Sequence, residues 1–177
     1  MNKQLALYYA SFIVFFLLMS LARGWFSIAF IVFWVGGAIG AILPDVDHFI
    51  YVYLLRPHEV TSQRAVRMMG SGKLLSTYGL LARTRNERTN LIFHTVLFQI
   101  IFFVFTFFVL SSSNSLFGRG IVLAFSLHLL VDQFLDFQQI GSINHWFKNI
   151  SVNFDKNKTI FYWTAASISL VVFGFLF

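Results

Sequence analysis

Gly40-Ala41-Ile42-Leu43-Pro44-Asp45-Val46-Asp47-His48 closes an apolar run that begins at Trp25. Two carboxylates and an imidazole stand within four residues at the end of a membrane-length segment. Charge in that position is costly unless it meets water, a partner or a metal ion. The chain has seven acidic residues in all, so placing two of them here points to a purpose. Pro44 lacks an N–H and restricts the residue before it, so the helix is expected to break or restart there.

The composition fits a membrane setting. Of 177 residues, 58% are hydrophobic and 11% charged, against roughly 25% charged in soluble domains. One domain over residues 1–177 is the natural count. The absence of Cys excludes disulfides and thiolate metal sites, which leaves His and carboxylates as the strong ligands. A net charge of +6 on so apolar a chain makes membrane lipid, and anionic lipid above all, the expected partner rather than nucleic acid.

Upstream of the opening stretch, residues 5–22 form an uncharged run able to cross a hydrocarbon core of about 30 Å. Residues 1–22 also have the form of a signal peptide, with Ser20 and Ala22 before a cleavage position. In the second run, 25–43, Gly36, Gly37 and Gly40 form a small-residue face suited to close helix packing.

Downstream, residues 49–55 are too short to span and read as a re-entrant or interfacial helix. Residues 56–90 hold seven basic residues against Glu59 and Glu87. Gly70-Ser71-Gly72 marks a turn between two helices. Leu74, Leu75, Tyr78, Leu81 and Ala82 recur at helical spacing, giving a basic amphipathic helix that rests on the membrane or meets an anionic headgroup. The run 91–110 has His94 in its first turn, and 121–137 carries His128, Asp132 and Asp136 towards its end. Ile140, Ile143, Trp146, Phe147, Ile150 and Phe154 predict an interfacial helix over 140–155, and a last run covers 159–177. His58 and His145 read as ordinary hydrogen-bonded core histidines. The expected fold is an all-α polytopic integral membrane protein. It has about five transmembrane helices (5–22, 25–43, 91–110, 121–137, 159–177), a basic hairpin at 56–90 and an interfacial helix at 140–155.

The distribution of basic residues orients these spans. With the N-terminus cytoplasmic and the C-terminus outside, eleven of the thirteen basic residues lie on inner segments, and only Arg23 and Arg119 on outer ones. The expected location is a cytoplasmic (inner) membrane of prokaryotic type. The same orientation puts Asp45, Asp47, His48, His94, His128, Asp132 and Asp136 at similar depth near the cytoplasmic boundary. Four of seven acidic residues and three of five histidines belong to that set.

His128, Asp132 and Asp136 follow each other at intervals of four and share one helix stripe. In the opening stretch, Asp45 and His48 share a face if the backbone is helical, and Asp45 and Asp47 do if it is extended. Mixed imidazole and carboxylate donors suit Zn²⁺, Mn²⁺ or Fe²⁺. Asp45, His48, His94, His128 and Asp132 are the candidate ligands, for one ion or two. Such an ion acidifies bound water and polarises a phosphoryl or carbonyl oxygen. Asp47 and Asp136 are candidates for a general base or for orienting a ligating His. Arg85 and Arg88 are candidates for holding an anionic substrate.

At these residues the chain resembles the membrane-bound metal-dependent hydrolases of the YdjM-like, LexA-regulated type. Leu43-Pro44-Asp45-Val46-Asp47-His48 is similar to that family's Leu-Pro-Asp-x-Asp-His element, and His128-Leu129-Leu130-Val131-Asp132 to its His-Leu-Leu-x-Asp element. Between them, His94-Thr95 matches the end of a His-Arg-x-x-Thr-His-Ser element, and Thr89 stands where the family has its first His. The likeness covers approximately residues 25–147. The Pro-Asp and His-x-x-x-Asp elements are also distantly similar to those of zinc-dependent, α-helical phospholipases C. What the resemblance implies is hydrolase chemistry. The matching expectation is cleavage of a phosphoester or ester in a lipid or lipid-linked molecule at the cytoplasmic leaflet. Two other readings are a non-enzymatic ion or proton path through the same cluster, and a membrane-anchored scaffold.

Overall fold

A computed structural model describes residues 3–84, 87–88, 90–148, 150 and 155–176. All regular structure among them is helical. The chain divides into two compact units, Met1–Pro44 with Thr95–Phe177, and Asp45–His94. The sequence reading of a single domain contains no hint of that division.

The larger unit holds α1 (Lys3–Arg23), α2 (Ile31–Ile42), α6 (Val96–Ser112), α7 (Leu116–Ile140) and α8 (Lys156–Leu176). Helix α7 packs on each of the other four, most extensively on α2. The glycines explain that closeness. Gly36 and Gly40 lie against the backbone carbonyls of Phe117 and Ile121, and Gly120 against that of Phe33, so a Cβ at any of the three would run into backbone. Gly37 meets the ring of Phe16 instead. The expected small-residue face is therefore present. Its value in a membrane is that dispersion contacts, not water exclusion, hold helices together there. Phe16, Met19, Phe33, Leu110, Leu123 and Leu170 fill the core around it.

Among the described residues, four helical stretches are long and apolar enough to cross a membrane: Ala6–Arg23, Ile28–Leu55, Leu116–Ile140 and Lys156–Leu176. The fifth expected span, 91–110, starts later than its apolar sequence suggests. Helix α6 begins at Val96, with the Thr95 hydroxyl accepting the Phe98 N–H at 3.3 Å as its cap. His94 therefore precedes the helix and does not occupy its first turn. At 17 residues, α6 is about 25 Å long. Helix α7 extends beyond the predicted 121–137 at both ends, from its Ser115 cap to Gly141, whose left-handed φ of 75° ends it. That glycine also replaces the start of the predicted interfacial helix 140–155. In its place come a bend and a single 3₁₀ turn, Asn144–Phe147. Ile143, Trp146 and Phe147, whose spacing predicted the helix, are buried. Residues 149 and 151–154 lie outside the described residues.

The smaller unit holds α3 (Val46–Ile50), a π-helical turn (Tyr51–Leu55), α4 (Val60–Gly70) and α5 (Leu74–Arg83) around Tyr51, Val52, Ala65, Leu81 and Leu91. Pro44 does not break the chain's helical course. Leu43 (φ −55°, ψ −41°) and Asp45 (φ −65°, ψ −19°) stay helical, and only one 3₁₀ turn marks the proline. Gly72 (φ 74°) supplies the predicted turn between α4 and α5. The predicted apolar face of α5 splits: Leu81 is buried, whereas Leu74 and Leu75 are exposed. His58, expected in a core, is exposed.

Candidate metal centre

In the smaller unit the organising atom group is the Asp47 carboxylate, fully buried. It accepts the N–H of Ile92 on Oδ1 at 3.0 Å, and those of Phe93 and His94 on Oδ2 at 2.6 and 3.3 Å. His94 Nδ1 lies 3.1 Å from the same Oδ2. An ionised carboxylate only accepts, so the network assigns the proton to Nδ1. His94 then carries its lone pair on Nε2. A carboxylate behind the other ring nitrogen is the usual way of orienting a metal-binding histidine. The three backbone bonds also account for the late start of α6, since they hold residues 92–94 out of a helix.

His48 is arranged differently. Its Nδ1 accepts from Arg88 Nε at 3.2 Å, so Nε2 carries its proton. Its ring stacks on His94, with centroids 5.2 Å apart. Arg88 is itself buried, and its other donors go to Thr84 Oγ1 at 3.0 Å and to the Leu81 carbonyl. Asp45 is half-buried and accepts from the Tyr78 hydroxyl at 3.4 Å. Arg85 and Thr89 lie outside the described residues.

In the larger unit the corresponding group is His128, buried on α7. Its Nδ1 lies 2.7 Å from the carbonyl of Ala41, which can only accept, so the proton sits on Nδ1 here too. The Tyr8 hydroxyl from α1 donates to the same carbonyl at 2.5 Å and touches Nδ1. Its ring meets the imidazole edge-on at 4.9 Å. On the far side, His128 Nε2 is 3.1 Å from Asp132 Oδ2, one helical turn along. A lone pair and a carboxylate oxygen repel at that distance unless a proton or a cation stands between them. Imidazole and carboxylate together are a donor set that first-row divalent metals take.

Asp136, next on the same stripe, is used otherwise. Its Oδ2 accepts from Trp146 Nε1 at 2.7 Å and His145 Nε2 at 3.0 Å, which ties the 3₁₀ turn back to α7. His145 is thus the hydrogen-bonded structural residue expected.

Within its units, then, the structure brings together Asp47, His48, Arg88 and His94, and separately His128 with Asp132. Tyr8 and the Ala41 carbonyl were missed by sequence reasoning. A tyrosine pair inside an otherwise apolar span was the one available signal. Missed as well was a buried amide pair, Gln99 and Gln133, joined at 2.7 and 3.4 Å, with Tyr162 donating to Gln99 at 2.5 Å.

These features define a class: an all-helical protein with helices of membrane-crossing length and buried histidine–aspartate pairs of metal-ligand type. No family model matches the chain, and neither does any curated protein or solved structure.

Proposed function

We propose that the protein is a membrane-embedded, metal-dependent hydrolase that cleaves a phosphoester or ester of a lipid or lipid-linked substrate at the cytoplasmic leaflet. The observation that carries this reading is the shared state of two histidines. His94 and His128 each commit Nδ1 to a buried acceptor, which makes Nε2 the ring nitrogen with a lone pair to give a metal ion. His94, His128 and Asp132 are all buried and are of residue types that could hold a metal ion. We assign the pair held within the larger unit, His128 and Asp132, to an ion, and read His94 as the corresponding ligand-type histidine of the smaller unit. Zinc suits such donors best, with manganese and iron(II) next.

The ion's contribution is Lewis-acid polarisation and acidification of water. The chain does the rest. Asp47 and the Ala41 carbonyl fix the two imidazoles, which lowers the reorganisation needed when substrate arrives. Arg88 keeps His48 as an Nε2–H donor, able to hold a substrate oxygen. Asp45, which accepts from the Tyr78 hydroxyl, is the carboxylate we assign to proton transfer. The resemblance to membrane-bound metal-dependent hydrolases supports the same reaction class.

The test is elemental analysis of protein purified without chelator under metal-replete conditions. Wild type is expected to hold stoichiometric zinc, manganese or iron, and both His128→Ala and Asp132→Ala are expected to lose it. Retention in either variant, or metal-free wild type, removes the basis of the proposal.

The second reading, a proton or ion path, draws on one observation. Polar pairs step along α6 and α7 as Gln99–Gln133 and Thr106–Ser126. Proton flux in proteoliposomes that is abolished by Gln99→Leu would favour it.

A further inference from the structure

We infer that the tip of the α4–α5 hairpin, residues 70–76, seats in the headgroup layer of an anionic bilayer leaflet. Every residue of that tip is exposed, Leu75 at 90% and Leu74 at 64%. Exposed leucines on a span face lipid tails as a matter of course. That account does not serve here, because α4 and α5 have 11 and 10 residues and a span needs about 20. Two leucines at a hairpin tip gain by entering the boundary between headgroups and acyl chains.

Charge selects the lipid. Residues 60–84 contain Arg64, Arg67, Lys73 and Arg83 and no acidic residue. All four are exposed, and Lys73 adjoins Leu74 directly. The two nearest glutamates are engaged elsewhere, Glu59 with the Tyr51 hydroxyl and Glu87 with Thr61. A single-sign field beside an apolar tip matches an anionic surface, where each basic residue changes partitioning by about fivefold. The chain also delivers the hairpin to that surface. Only residues 56–59 separate α4 from the helical stretch Ile28–Leu55, which is long and apolar enough to span. The sequence had suggested a whole amphipathic helix lying on the membrane. The structure narrows this to the tip, since Thr77 and Leu81 point into the unit's own core. The inference does not depend on a metal.

The chain has no cysteine, so one introduced thiol can be labelled cleanly. Leu75→Cys carries an environment-sensitive fluorophore in the full-length protein, in nanodiscs of phosphatidylcholine alone or with phosphatidylglycerol. Gln63→Cys, two turns back along α4, is the control. The expected result is a blue shift and at least threefold weaker acrylamide quenching at position 75 in anionic discs only. Adding Arg67→Glu and Lys73→Glu is expected to abolish it, and position 63 should stay water-like throughout. Equal quenching at 75 and 63 in both lipids overturns the proposal. So does equal protection at 75 in both lipids, or protection that requires added RNA in place of anionic lipid.

Discussion

The two histidines reach the same state by opposite means. His94 is held by a charged carboxylate that also collects three backbone N–H groups. His128 is held by a neutral carbonyl and a tyrosine hydroxyl. The first device combines ring orientation with loop structure, because Asp47 is the acceptor for both. The second separates them, because the Ala41 carbonyl is positioned by helix packing and the tyrosine is an addition. The difference teaches where each site is fragile. Damage to Asp47 should unfold its surroundings, whereas damage to Tyr8 should loosen one ring.

The largest effect is therefore expected from Asp47→Ala. It strands three backbone donors and removes the anchor of His94, a loss of about 3 kcal/mol or more. Thermal unfolding in detergent should show it, with Asp47→Asn recovering part. Little loss in Asp47→Ala would mean that the loop 91–95 is held by something else. Next comes Gly40→Val. Its Cβ meets the Ile121 backbone, which should cost about 2–3 kcal/mol and displace the carbonyl that His128 needs. Reduced yield, a lower melting temperature and weaker metal retention should appear together. If only yield falls, packing and the His128 frame are not linked.

Tyr8→Phe is the finer test of the contrast. It removes one hydroxyl, worth about 1 kcal/mol in stability, and should lower metal affinity by roughly tenfold. A competition titration with a chromogenic chelator measures this, and unchanged affinity would reduce Tyr8 to a packing residue. Smallest is the Gln99–Gln133 pair. A double-mutant cycle with leucine should give a coupling near 0.6 kcal/mol. That marks these amides as helix glue, whereas a much larger value would reopen the relay reading.

Much of this was legible in residue types and little of it in roles. The glycine face of α2 could be read from sequence because small residues at that spacing have few other uses in a membrane helix. The candidate ligands could be named because charge is scarce and its few instances cluster. What spacing cannot carry is which ring nitrogen meets which acceptor. That depends on Tyr8 and Ala41, separated by 33 positions, and on the Asp47 carboxylate meeting residues 92–94. The start of α6 was misplaced for a related reason. Leu91, Ile92 and Phe93 continue the apolar run, yet Asp47 takes the N–H groups of Ile92, Phe93 and His94 and postpones the helix to Val96. The 140–155 segment shows the converse. Ile143, Trp146 and Phe147, three of its periodic apolar residues, are buried, but Gly141 and the Asp136 tie to Trp146 make a turn where an interfacial helix was predicted.

The central claim is that His128, through Nε2, and Asp132 bind a metal ion. X-ray absorption on the metal-loaded protein counts imidazole ligands directly. The account predicts imidazole ligation in the wild type and one imidazole fewer in His128→Gln, with some metal retained through Asp132 under saturating conditions. An imidazole count that is unchanged in His128→Gln would contradict it.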